Sequence, residues 1–510
     1  MKSLHGYLEK TFHLTERRTD VWQELRAGTS TFLTMAYILL VNPQVLGTPH
    51  TGLELTDVVV GTAVASAFGS ILVGYCANLP FGLAPGLGLS AYLSYGLVKG
   101  KGIPWEGALA TSFLAGAIMV FLAITNLSDI AMAWIPRTIK IATVIGMGLL
   151  LTFIGMQSIE LVVSSGDDSL VMLGPLDRFE IWLSLAGLLL LATLSHHRVK
   201  GAVVLGIFIV TVIMWIASDN WPHTIVEWPS ESAPIWKKAT HLSMVLKHLS
   251  KYGSGICAFL LVGVFDVSGV MFGLAVLANL HKEDHNGVAH VPNSKWVFIA
   301  AGLSTMLAAC LGCSPIIVHI ESAAGIKEGG RTGLTAVVVG LWFFISLFFA
   351  PLLGSIPQEA TAPVVILIGA SMMGQAAEID WKEMRVAVPA FLTLSLMPFT
   401  FSIPNGIFFG IVSNIVLSIT CDGCFGLCKN REEQIHDDIS VISTPTGGPL
   451  HIQHVHAPEG YGTVDKVQCN GDMQRSFSYD SFVRSPTLLL RREEYAGDLS
   501  GAATPSAHYF

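Results

Sequence analysis

Apolar residues in this chain are gathered into runs that recur from about residue 28 to about residue 420, with polar breaks between them. A helix needs roughly 20 apolar residues to cross the hydrocarbon core of a bilayer. The runs therefore exclude an ordinary soluble domain and predict an all-α polytopic membrane protein. Composition agrees, with 52% of the 510 residues hydrophobic and 13% charged. Read between the breaks, spans are expected near 28 to 46, 57 to 77, 107 to 125, 139 to 157, 179 to 195, 201 to 217, 254 to 278, 296 to 312, 333 to 350, 362 to 376, 386 to 401 and 404 to 420, twelve in all. Two further stretches, 80 to 98 and 313 to 326, are apolar but interrupted by Gly and Pro, and counting them gives fourteen.

Cytoplasmic loops retain Lys and Arg, which orients the count. With both termini inside, the inner loops include "HHRVKG" from His196, "KEGGR" from Lys327 and "WKEMR" from Trp381. The opposite loops "TPHTGLELTD", "ELVVSSGDDSLVMLGP" and "LLGSIPQEATA" hold no Lys or Arg. "VKGKG" from Val98 and the lysines of the 218 to 252 loop run against the rule. The expected organisation is a cytoplasmic segment 1–27, a first set of seven segments 28–217, an extracellular connecting loop 218–252, a second set of seven 253–420 and a disordered cytoplasmic tail 421–510. An odd number per half gives inverted topology, and "IPRTIKIATVIG" from Ile135 echoes "IPQEATAPVVILIG" from Ile356 at the start of the fifth span of each half.

Several features exclude other classes. The first 28 residues are polar and mixed in charge, with no apolar h-region, so no signal peptide is expected. A net charge of −8 points to neither nucleic acid nor a strongly basic membrane patch. Eight scattered cysteines make no disulfide framework, and "CDGCFGLC" from Cys421 lacks the second ligand pair a zinc site needs, so palmitoylation or plain thiols are the readings there. Neither a nucleophile and base pair nor a phosphate loop is present, so an enzyme is not expected, and no cofactor or metal is called for. The tail is rich in Ser, Gly, Pro and charge. Its "RSFS" and "RSPT" are candidate phosphorylation sequences, His451, His454 and His456 are too loosely spaced for a metal, and the sequon at Asn126 falls on the inner side, where it would go unused.

The chemistry gathers at the broken stretches, which fall third in each half. "NLPFGLAPGLGLSAY" from Asn78 cannot hold a regular helix, and irregular backbone at membrane depth survives only inside protein or beside a watery cavity. Paired interrupted spans are the best sequence pointer to a carrier's binding site, although close packing through small residues remains the plainer alternative. The second stretch supplies Ser314, Pro315 and then Glu321. The helix "GICAFLLVGVFDVSGVMFGLAVLANL" places Asp266 near its middle. A carboxylate at the centre of a lipid-facing helix costs about 3 kcal/mol, so both groups are expected to face inward with partners. A carboxylate kept from water can hold a proton and release it when solvated, which makes Glu321 and Asp266 candidate proton-coupling groups. It can also accept two neighbouring N–H donors, which suits a flat heterocycle without selecting one.

At these residues the chain resembles the AzgA-like branch of the nucleobase/ascorbate permease superfamily, the adenine, guanine and hypoxanthine transporters. The carriers of the resemblance are "TFLTMAYILLVNP" from Thr31, "APGLGLSAY" from Ala84, "IPRTIKIATVIGMGLLLTFIGMQ" from Ile135, "VFDVSG" from Val264 and "IESAAGIKEGGRTGLTAVVVGL" from Ile320. It implies fourteen segments in two inverted sevens, short facing strands in the third and tenth, core and gate domains, a plasma-membrane location and a homodimer. It further implies a purine nucleobase taken up with a proton as coupling ion, Glu321 holding the base, and Asp266, Ser90, Gly263 and Ser314 around it. The chain departs from the family pattern at Gly263, where an aspartate is usual, at "VSGV" for "TTGT", at Ser90 for an asparagine, and at "GCSP" for "GTST". These departures keep two alternatives open: another cargo such as a cytokinin, a pyrimidine or an anion, and a transport-inactive nucleobase receptor.

Overall fold

A computed structural model describes residues 2–48, 51–125, 136–164, 171–197, 201–219, 249–280, 282–283 and 289–420, isolated positions between 199 and 245, and residues 452–455 and 464–467 of the tail. Asn126, most of the connecting loop, Cys421, Cys424 and Cys428, and the tail's phosphorylation sequences lie outside the described residues. Each of the twelve apolar runs lies on a helix. Eight helices are long and apolar enough to cross a membrane, among them Leu55–Cys76, Trp105–Ile124, Arg137–Ser158 and Lys251–Leu277, and four shorter apolar ones join them: Ala202–Ser218, Ser294–Cys310, Met384–Thr400 and Ile403–Ser418. Large apolar side chains such as Phe121, Leu189, Phe208, Phe399 and Phe408 stand outward, as expected of helices whose outer solvent is lipid.

The helices pack in two groups. Val21–Met35, Leu55–Cys76, Trp105–Ile124, Leu249–Leu277, Ser294–Cys310 and Gly333–Ser346 contact one another, while Arg137–Ser158, Phe179–His196, Ala202–Ser218, Gln358–Met372, Met384–Thr400 and Ile403–Ser418 form the second set. Lipid gives helices no hydrophobic reason to associate, so close approach through small residues does the work. Gly116 on Trp105–Ile124 faces Gly302 on Ser294–Cys310, and a Cβ on either would stand 2.8 to 2.9 Å from the other's carbonyl oxygen.

The two Gly- and Pro-broken stretches meet between these helices. Leu83–Pro85 pairs antiparallel with Ile316–Val318, in the register Leu83 to Val318, Ala84 to Ile317 and Pro85 to Ile316. A two-stranded ladder has two open edges, and in a membrane interior each needs partners. Both edges find a hydroxyl on a neighbouring helix. Ser70 Oγ accepts from Leu83 N at 2.9 Å and donates to Leu83 O at 3.2 Å, and Thr305 Oγ1 does the same for Ile316 at 3.0 and 3.4 Å. A short helix follows each strand, Leu87–Ala91 after the first and Ser322–Lys327 after the second.

The tail is a separate unit. Its described residues form one antiparallel ladder, Ile452–Val455 with Val464–Val467.

Candidate functional site

Glu321 stands where the second strand gives way to its short helix, and its side chain does not cap that helix. The carboxylate is instead held by two side chains from different elements. Tyr37 Oη donates to Oε1 at 2.5 Å, from the break between helices Val21–Met35 and Ile38–Leu46. His319 Nδ1 lies 3.2 Å from Oε2. The backbone on either side is tied as well: Thr34 Oγ1 donates to the Glu321 carbonyl at 3.3 Å, and Ser322 Oγ accepts from Gly82 N at 2.9 Å, joining the two broken stretches again. Each carboxylate oxygen has a second lone pair, so this grip leaves one acceptor position per oxygen.

Those positions matter because Glu321 lines a cavity of about 390 Å3 between the two helix groups. One wall carries Leu33, Thr34, Tyr37 and Glu321; the other carries Ser195, Val199 and the Gly201 turn, with Leu367, Ile368 and Ser371 beside it. The lining is mostly apolar with a few hydroxyls and one carboxylate, the arrangement of a site that takes a small, largely apolar ligand and fixes it by a few polar contacts. The Glu321 side chain keeps 21% of its surface exposed, against 8% for His319 behind it.

The other four residues expected from sequence take other places, and among the described residues none of them lines this cavity. Ser90 and Ser314 are fully buried and hydrogen-bonded to each other at 2.7 Å. Ser90 also donates to Asn42 Oδ1 at 2.5 Å, and Asn42 Nδ2 in turn donates to Thr62 Oγ1 at 2.8 Å and Cys313 Sγ at 3.3 Å. The result is a closed polar knot tying both broken stretches to the Ile38–Leu46 and Leu55–Cys76 helices. Asp266 and Gly263 lie three residues apart, on one face of helix Leu249–Leu277. Asp266 interacts electrostatically with His319. A side chain added at Gly263 would meet nothing within 4 Å, so the missing carboxylate there leaves open space.

Three participants escaped the sequence reading: His319, Tyr37 and Asn42. Tyr37 and Asn42 sit inside an apolar run, where a lone polar residue reads as packing. His319 stands two residues before Glu321, across the turn that follows the second strand, and that closeness in sequence was its only signal. His319 Nε2 also lies 3.2 and 3.1 Å from the carbonyl oxygens of Ala84 and Pro85. Among the described residues, no group of three His, Cys, Asp or Glu is gathered as a metal site.

Comparison with known proteins bears on what the cavity takes. A family model described as Permease family, Xan_ur_permease, matches residues 22–409. Adenine permease AdeP of Escherichia coli (strain K12) is 34% identical over 414 residues, covering 81% of this chain and 91% of the relative. Guanine/hypoxanthine permease PbuO of Bacillus subtilis (strain 168) is 36% identical over 409 residues, covering 79% and 92%. Among solved structures, the transmembrane domain of a cyanobacterium bicarbonate transporter, BicA, superposes with a TM-score of 0.53 at 15% identity, covering 79% of this chain and 97% of that one. At that identity the likeness speaks of the fold alone.

Proposed function

The chain belongs to the Permease family of that model, and from this premise we propose that it is a multi-pass membrane carrier of purine nucleobases, moving them by proton symport. The relatives' names supply the cargo class: an adenine permease and a guanine/hypoxanthine permease, each about a third identical over most of its length. The observation that carries the site is the Glu321 carboxylate, held from behind and exposed to the cavity with one acceptor position on each oxygen. Guanine presents neighbouring N–H donors, N1–H and the 2-amino group, along one edge, adenine and hypoxanthine present an amino group or a single N1–H, and all three have two apolar ring faces. Such an edge fits the carboxylate, while Leu33, Val199, Leu367 and Ile368 offer apolar surface to the ring.

In this reading the fourteen segments form two inverted sevens. The matched anchoring of Leu83 by Ser70 and of Ile316 by Thr305 supports it, because one device recurs on both halves. The helix group that carries the strand pair is the core, and the group of Arg137–Ser158 and its neighbours is the gate. The cavity between them opens and closes as one group moves against the other. The Arg- and Lys-bearing loops support a cytoplasmic place for both termini, and the family resemblance supports a plasma-membrane homodimer.

The test is uptake of labelled adenine, guanine and hypoxanthine into cells lacking their own purine carriers, at acidic and alkaline external pH, for the wild type and Glu321→Gln. Expected is acid-stimulated uptake that the substitution abolishes, since an amide offers one acceptor oxygen and no charge. Undiminished binding and uptake in Glu321→Gln would remove that residue from the site. No purine uptake by surface-located wild type would turn the reading to another cargo, in keeping with the open space at Gly263.

A further inference from the structure

The hydrogen-bond chemistry around His319 fixes where a proton can be. Its Nε2 faces two backbone carbonyls, Ala84 O and Pro85 O, which only accept, so Nε2 carries a hydrogen. In a neutral imidazole Nδ1 is then bare, yet Nδ1 stands 3.2 Å from Glu321 Oε2. Two lone pairs facing one another repel, so one proton must occupy that contact. It is bound either to Nδ1, giving imidazolium and carboxylate, or to Oε2, giving imidazole and carboxylic acid. Tyr37 cannot fill the gap, because its hydroxyl already donates to Oε1.

We propose that His319 carries the transported proton, and that base and proton are coupled because Glu321 holds the base tightly only while the shared proton sits on His319 Nδ1, where the carboxylate is charged. This inference rests on the symport reading above. With the proton on Oε2, that O–H is spent on Nδ1 and the carboxyl is neutral, a weaker acceptor for an incoming N–H than the carboxylate. Transfer breaks the Oε2–H bond and forms the Nδ1–H bond, which leaves the carboxylate to accept the base and places the positive charge on a ring shielded from the cavity.

Every neighbour of the ring is consistent with that charge. Glu321 faces it across the turn that follows the second strand, Asp266 from helix Leu249–Leu277 acts on it electrostatically, and Tyr37 from the break between helices Val21–Met35 and Ile38–Leu46 holds the far side of Glu321. The Leu83–Pro85 strand presents only carbonyls, and the Ser294–Cys310 helix reaches the second strand through the Thr305 hydroxyl.

The experiment uses the full chain in proteoliposomes containing a pH-sensitive dye, with adenine, guanine and hypoxanthine as probes, for the wild type, His319→Gln and His319→Asn. In the wild type, base addition should acidify the lumen. Apparent base affinity should change about tenfold per pH unit where one proton is taken up with the base. Both variants should lose base-driven acidification and the pH slope, and any base-for-base exchange that survives should not depend on pH. Two variants of different length guard against one that fails to fold, and base-induced thermal stabilisation marks the folded ones. Acidification that persists in a folded variant overturns the role of His319 and leaves the symport reading intact. A wild type that exchanges base without acidification overturns both.

Discussion

Replacing Ser90 by alanine separates a binding role from a building role. The hydroxyl has a single hydrogen, and the 2.5 Å contact to Asn42 Oδ1 takes it in preference to the Gly86 carbonyl at 3.0 Å, so the Ser314 hydroxyl at 2.7 Å is the donor to Ser90 Oγ. Ser90→Ala therefore removes two buried hydrogen bonds, each worth about 1 kcal/mol net, and leaves Asn42 Oδ1 without its donor in a site of zero exposure, for a further ~1 kcal/mol or more. The sum, about 3 kcal/mol, is set against no loss of cavity wall, because Ser90 does not touch the cavity. Thermal unfolding of purified protein in detergent should shift down by about 5 °C at the stability slope of a large domain, while base affinity by titration calorimetry stays within twofold of wild type. An unchanged melting temperature with tenfold weaker binding would refute this account, and would return Ser90 to the substrate contacts that the family resemblance implies.

Two further outcomes follow from other buried groups. Glu24 is fully buried and accepts from Arg331 N, Thr332 N, Thr335 N and Thr335 Oγ1 at 2.6 to 3.3 Å, capping the start of helix Gly333–Ser346 from another helix; Glu24→Ala should cost about 3 kcal/mol of stability, read as a lowered melting temperature and reduced folded yield. Tyr37→Phe removes the donor that holds Glu321 Oε1 toward the cavity and should weaken base binding about tenfold, or about 1.4 kcal/mol, with the folded yield unchanged; equal affinity would mean that His319 and the backbone position the carboxylate without it.

The helices were legible because run length and hydropathy are local properties, and each expected run lies on a helix within a few residues. The broken stretches were legible too, since Pro80, Pro85 and Pro315 lack the N–H a helix needs. Which side chains share the cavity was not local. Glu321 was found because a charge in an apolar run has a cost that needs a reason, and the same argument found Asp266. Ser90 and Ser314 drew attention through a motif, but a motif position carries no statement of which way a hydroxyl points; here both are turned into the knot with Asn42. Tyr37 reaches Glu321 across 284 residues and His319 reaches Ala84 across 235, so apart from the two-residue step from His319 to Glu321 no periodicity relates them to their partners, and only the strand pairing brings Ala84 and Pro85 against the ring.

The inverted-repeat reading raises a question that the packing answers: why a pair of matched strands yields one carboxylate site and not two. Counting from the residues anchored by Ser70 and Thr305, Leu83 corresponds to Ile316, so Gly86 corresponds to His319 and Gly88 to Glu321. Both chemical positions of the second half are therefore glycine in the first. The space there is tight, since a Cβ at Gly86 would approach Ile317 Cδ1 to 2.8 Å and one at Gly88 would approach Met147 Sδ to 3.0 Å, so those side-chain ends would have to shift to admit one. The first half thus gives up side chains at these positions so that its carbonyls at Ala84 and Pro85 can reach the His319 ring, and Met147 closes the place where a second carboxylate would stand. The strand-and-helix device recurs in both halves, and the carboxylate and imidazole stand in one half alone.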